Sequence, residues 1–115
     1  MTIENKAGEI SPVALKAKID SGADVTLLGV REPHELVIAS INAPKSLHIS
    51  MKELADKLSE LKDYKDRDLV VYCRSGGRSA RCTEFLQSQG FKKVFNLTGG
   101  ILSWADTVDP NLTKY

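Results

Sequence analysis

Apolar residues gather in five short runs, each bounded by turn-forming residues: around Ile10, at 25–30, at 46–49, at 69–73 and at 94–97. Runs of this length and composition predict strands. The fourth, Leu69-Val70-Val71-Tyr72, is apolar at every position rather than at alternate ones, as a strand covered on both faces requires. The segments between carry helical signals. Ser11 and Pro12 supply an N-cap and a first-turn proline for a helix over 13–19, closed by Ser21-Gly22. Ser50 and Glu53 form a capping box in front of Leu54, Leu58 and Leu61, which share one stripe of the helix it opens. Residues 80–89 predict a further helix, capped by Ser79 and ended by Gly90, with Cys82, Phe85 and Leu86 on one face. Thr98-Gly99-Gly100 turns the chain into a last helix whose Leu102 and Trp104 cover the sheet. Strand and helix thus alternate, which predicts an α/β domain: a mostly parallel central sheet of about five strands with helices on both faces. Residues 1–9 read as a lead-in and residues 10–115 as the domain.

Candidate chemistry concentrates where the fourth run ends. Cys73-Arg74-Ser75-Gly76-Gly77-Arg78-Ser79 sets a thiol between the carboxyl end of a strand and the N-terminus of a helix. Gly76 and Gly77 let the backbone turn its N–H groups inward as an anion-binding nest, and the helix dipole adds positive partial charge at the same point. Arg74 and Arg78 bring two fixed positive charges that favour the thiolate and attract small anions. A reading without chemistry stands beside this one, since free cysteine is among the most buried residues. Two glycines and two arginines within residues 74–78 weigh against it, being poor core material. Cys82 reads as packed against the sheet, its alternative being a resolving thiol for Cys73. His34, in a polar turn, reads as surface, and His48 as a half-buried structural residue.

The segment from Cys73 to Ser79 resembles the active-site loop of rhodanese-like sulfurtransferases, and the similarity continues on both sides. The strand running into Arg31-Glu32-Pro33-His34-Glu35 resembles the family signature Asp-Val-Arg-Glu-Pro-x-Glu, with Gly29 standing where the family has aspartate. Gly99-Gly100 followed by Trp104 resembles its closing Gly-Gly-x-x-x-Trp, and Ser40 replaces a usual histidine. The tail from Val108 to Tyr115 is similar to that of rhodanese domains at the C-terminus of activating enzymes for sulfur-carrier proteins, of the molybdopterin and thiamine type. The resemblance implies transfer of a sulfane sulfur from thiosulfate or a persulfide donor, through a Cys73 persulfide, to cyanide, a thiol or a sulfur-acceptor protein. It implies Cys73 as nucleophile, with Arg74, Ser75, Gly76, Gly77, Arg78 and Ser79 holding the substrate and Arg31 supporting them. Implied partners are a small anionic sulfur donor and a sulfur-carrier protein or cysteine desulfurase; no cofactor is implied. Because Gly29 removes an ionic partner from Arg31, Glu32 or Glu35 is expected to replace it, or Arg31 to be more exposed, with lower stability near the site. The whole reading asks for a sulfur within reach of solvent.

Charge and cysteine usage narrow the field further. Sixteen basic and fifteen acidic residues are interspersed and leave a net charge of +1, so no basic face for nucleic acid is expected. With 115 residues the chain has room for a single core. Two cysteines without a Cys-x-x-Cys, and two histidines, make neither a disulfide framework nor a metal site, and favour a reducing compartment. No run is long enough to span a bilayer and the N-terminus lacks an apolar signal core, so a cytoplasmic protein is expected. No Gly-x-Gly-x-x-Gly is present, and ATP use is not expected to carry over from the activating enzymes. Two other functions stay open. One is a non-catalytic or redox-sensing interaction domain of the same fold. The other is a cysteine phosphatase or arsenate reductase, opposed by loop length: the phosphatase pattern is Cys, five residues, Arg, and here Arg78 comes one position early.

Overall fold

The computed structural model describes residues 8–32, 34–35, 39–41, 43 and 45–114. Most of the lead-in therefore lies outside the described residues, as does part of the stretch around Ser40. Among them, β1 (Glu9–Ile10), β2 (Val25–Gly29), β3 (Ser46–His48), β4 (Asp68–Tyr72) and β5 (Val94–Leu97) form one sheet in the order β1-β5-β4-β2-β3. Every pairing is parallel. The helices α1 (Pro12–Asp20), α2 (Gly77–Ser88) and α3 (Gly100–Thr107) alternate with the strands.

β4 lies between β5 and β2, and its side chains alternate between two cores. Leu69 and Val71 pack with Leu28, Leu61, Cys82 and Leu86 on one face, while Val70 and Tyr72 pack with Leu15, Leu27, Ile101 and Trp104 on the other. A central strand with a core on each side favours apolar residues on both faces, which explains the unbroken run from Leu69 to Tyr72. Its end is accordingly fixed in space, and Cys73 is the first residue beyond it.

α1 begins as its sequence suggests, with the Ser11 hydroxyl accepting the Ala14 N–H at 3.1 Å and Pro12 in the first turn. The segment after Ser50 differs. In place of one capped α-helix there are two 3-10 stretches, Met51–Glu53 and Leu58–Tyr64, and the Ser50 hydroxyl meets the Glu53 carboxylate at 3.5 Å instead of a backbone N–H. Leu54 and Leu61 are nonetheless buried, with Leu58 packed against the same core. Burial of the leucines decides the path, and the local capping signal yields to it.

Gly29 is paired in register with Tyr72. A Cβ at position 29 would lie 3.0 Å from the Tyr72 hydroxyl oxygen, and that hydroxyl accepts the Ile41 N–H at 3.4 Å. The space that the family's aspartate would take is therefore filled by a phenol, not left as a void.

The turn from β5 into α3 carries the tightest contact near the site. Gly100 has φ +61°, and a Cβ on it would come within 2.5 Å of the carbonyl oxygens of both Cys73 and Arg74. Only a bare backbone fits, and it allows the N–H groups of Ile101 and Leu102 to donate to those two carbonyls at 3.0 and 3.1 Å. Gly100→Ala is expected to destabilise the domain by about 2–4 kcal/mol in denaturant unfolding, combining a disfavoured φ with overpacking. Gly22→Ala, also at positive φ but with nothing within 4 Å, is the control and should cost only about 1 kcal/mol.

Candidate active site

The loop after Cys73 closes back over its sulfur. Gly76, at φ +102°, makes the turn and occupies the N-cap position of α2, and its N–H donates to Cys73 Sγ at 3.1 Å. The Ser79 N–H follows at 3.4 Å and the Ser79 hydroxyl at 3.3 Å. α2 thus starts at Gly77, earlier than the sequence suggests, and Ser79 is not its cap. Ser79 lies inside the first turn, fully buried, with its side chain directed at the sulfur. The positive end of the helix is wrapped around the thiol rather than pointing at it from a distance.

These donors decide the ionisation of the thiol. Burial pushes Cys73 up, but the Ser79 hydroxyl and then the N–H groups of Ser79, Gly76 and Ser75 pull it below its ordinary value. Hydrogen bonds, not guanidinium charge, are the leading cause, which corrects the weight that the sequence gives to Arg74 and Arg78. A packing thiol would be as well covered; it would not have three donors aimed at it.

Arg78 is occupied elsewhere. Its guanidinium clasps Glu35 in a two-pronged pair, Nη1 to Oε1 at 3.0 Å and Nη2 to Oε2 at 3.1 Å. The same carboxylate accepts the Glu32 N–H at 2.9 Å and faces Arg31 Nη2 at 3.6 Å. Arg31 is 0 % exposed, and its Nη1 donates to the carbonyls of Ala39 at 2.5 Å and Glu35 at 3.4 Å. Of the replacements expected for the lost aspartate partner, Glu35 is the one realised, and Arg31 is not more exposed. Its hold on Arg78 has no signal in the sequence, because the two residues are 43 positions apart. The bond from Arg78 leads the effects that bring the Glu35 carboxyl down to about 2.

The remaining candidates divide. Arg74, Ser75 and Gly77 are exposed around the loop, with the Arg74 carbonyl held by α3. Cys82 is 3 % exposed within the core, where burial, with the neighbouring Cys73 adding to it, pushes its thiol up to about 11. That suits packing and not a resolving role. His34 is exposed; His48 is exposed rather than half-buried, its Nε2–H donating to the Arg31 carbonyl at 2.6 Å. Cys73 itself is 1 % exposed, so its sulfur is less open than the sequence reading asks. Among the described residues no group of potential metal ligands gathers, and no helix is long and apolar enough to cross a membrane.

Comparison with known proteins fits this geometry. The family profile described as Rhodanese-like domain matches residues 11–107. The chain belongs to the rhodanese-like family. This rhodanese-like domain is 39% identical over 97 residues to a sulfurtransferase of Allochromatium vinosum, covering 84% of the chain and 87% of that protein. It is 35% identical over 105 residues to the maize adenylyltransferase and sulfurtransferase MOCS3-2, covering 87% of the chain but 21% of that longer protein. Among solved structures, a rhodanese-related protein of Thermoplasma volcanium superposes with a TM-score of 0.77 at 34% identity, covering 93% of this chain and 98% of that one.

The Glu35 cluster gives the rhodanese-like domain a specific acid sensitivity. A carboxyl lowered from 4.5 to about 2 on folding stabilises the domain fully above pH 4.5, and that contribution is lost as pH falls toward 2. It corresponds to about 3 kcal/mol. Glu35→Gln should therefore lose about this much stability at neutral pH, and the gap between it and the parent should close between pH 4.5 and 2. Urea unfolding of both proteins across that range checks it.

Proposed function

We propose that this rhodanese-like domain is a sulfurtransferase in which Cys73 carries the sulfane sulfur. The observation that carries the reading is the set of N–H and O–H donors that converge on one sulfur atom inside an otherwise closed core. The name of the Allochromatium vinosum relative, a sulfurtransferase, agrees with it.

In the first half-reaction the Cys73 thiolate attacks the outer sulfur of thiosulfate or of a persulfide donor. A bond forms between the two sulfurs, the donor's own sulfur–sulfur bond breaks, and its electron pair leaves on sulfite or on the donor thiolate. The donors that held the thiolate then hold the terminal sulfur of the persulfide, which bears the same charge. In the second half-reaction cyanide, a thiol or a sulfur-acceptor protein takes that outer sulfur, and the bonding pair returns to Cys73. The donors around Cys73 lower its pKa and so enlarge the share of thiolate ready to attack without a separate base. Its lowering need not be deep, since nucleophilicity falls with pKa.

Arg74, exposed beside the loop, meets the anionic end of the donor; Arg78, clasped by Glu35, holds the rim in place, with Arg31 behind it. Ser75, Gly76, Gly77 and Ser79 form the backbone of the sulfur seat. The sulfur acceptor or supplier is a sulfur-carrier protein or a cysteine desulfurase, in a reducing, cytoplasmic setting. Intact-mass analysis after exposure to thiosulfate tests the reading. The parent protein should gain one sulfur atom and lose it again to cyanide, while Cys73→Ser should gain nothing; a gain in both proteins, or in neither, refutes it.

A further inference from the structure

The Ser79 hydroxyl has one proton and two acceptors. Its oxygen lies 3.3 Å from Cys73 Sγ and 2.5 Å from Asn96 Oδ1. Asn96 belongs to β5, is 3 % exposed, and its amide cannot turn over without loss. Its Nδ2 donates to the Glu9 carboxylate, at 3.2 and 3.4 Å to the two oxygens, and to the Gly76 carbonyl at 3.3 Å. Glu9 and Asn96 are register partners on β1 and β5, and Glu9 is steadied by the Thr98 hydroxyl at 2.8 Å. Both hydrogens of the amide nitrogen thus have acceptors, and the amide oxygen is fixed toward Ser79.

We propose that Asn96 is a positioning residue that competes with the Cys73 sulfur for the single proton of the Ser79 hydroxyl. While Cys73 is a thiol, its S–H points at Ser79 Oγ and the hydroxyl proton points at Asn96 Oδ1. When the thiol gives its proton to solvent, the hydroxyl rotates to donate to the thiolate, and Asn96 Oδ1 loses that donor. No other bond forms or breaks. The cost of leaving a buried amide oxygen without its donor opposes ionisation, so Asn96 holds Cys73 less acidic than its ring of donors alone would make it.

The test reads the thiol directly, through the ultraviolet absorbance of the thiolate between about pH 5 and 10, and needs no sulfur donor. Cys82, pushed up to about 11, stays silent over most of that range, and Cys73→Ser is the blank. Asn96→Leu should lower the Cys73 midpoint by about half to one pH unit, and Ser79→Ala should raise it by a similar amount. In the Ser79→Ala background, Asn96→Leu should shift nothing. An unchanged or raised midpoint in Asn96→Leu overturns the proposal, as does an equal shift with and without Ser79. Asn96→Ser, too short to reach the hydroxyl, replaces the leucine variant if that one does not fold. Because no transfer is measured, a domain that moved no sulfur would fail the preceding reading and leave this one standing.

Discussion

The first N–H groups of a helix have no acceptor within it, and in this domain two of them, at Ile101 and Leu102, are directed at the carbonyls of Cys73 and Arg74. The sulfur seat depends on that arrangement. In a trans peptide the carbonyl and the N–H point in opposite directions. With the Arg74 carbonyl pinned on α3, the Ser75 N–H is turned to the other side, where the sulfur lies, and the amides of Gly76 and Ser79 continue the ring as the chain enters α2. One helix start fixes the loop from beneath and a second closes it from above. The bare backbone of Gly100 is what lets the lower helix come close enough.

Around this seat stands a cluster of charges, Arg31, Glu35 and Arg78, whose pairing is set by burial. Arg31 is wholly inside, where a guanidinium must have carbonyls and a carboxylate around it. Glu35 serves that need with one edge and holds Arg78 with the rest. The charge at the loop is therefore structural before it is chemical, and the lowering of the thiol falls mainly to neutral donors.

What the sequence tells and what it hides follow from distance along the chain. The strands, α1 with its Ser11 cap, and the two-sided burial of β4 rest on patterns within ten or so residues, and they are visible there. So is the loop, whose glycines and cysteine are contiguous. The helix after Ser50 was not, because three leucines reaching for the core can be served by 3-10 turns as well as by an α-helix. Ser79 has the composition of a cap, and only the early start of α2, allowed by the φ of Gly76, moves it to the sulfur. Asn96 sits unmarked in an apolar strand, and its partners Ser79 and Glu9 are 17 and 87 positions away. No local pattern joins them.

The near-complete cover over Cys73 has a consequence of its own. On the proposed chemistry, the backbone that a donor must displace also stands between a loaded sulfur and the small thiols dissolved around it. Charging and discharge would then both wait on displacement of the loop, whether the acceptor is cyanide, a thiol or a protein able to deform the loop on docking. Shelter of this kind would, on the proposed chemistry, turn a labile atom into a deliverable one.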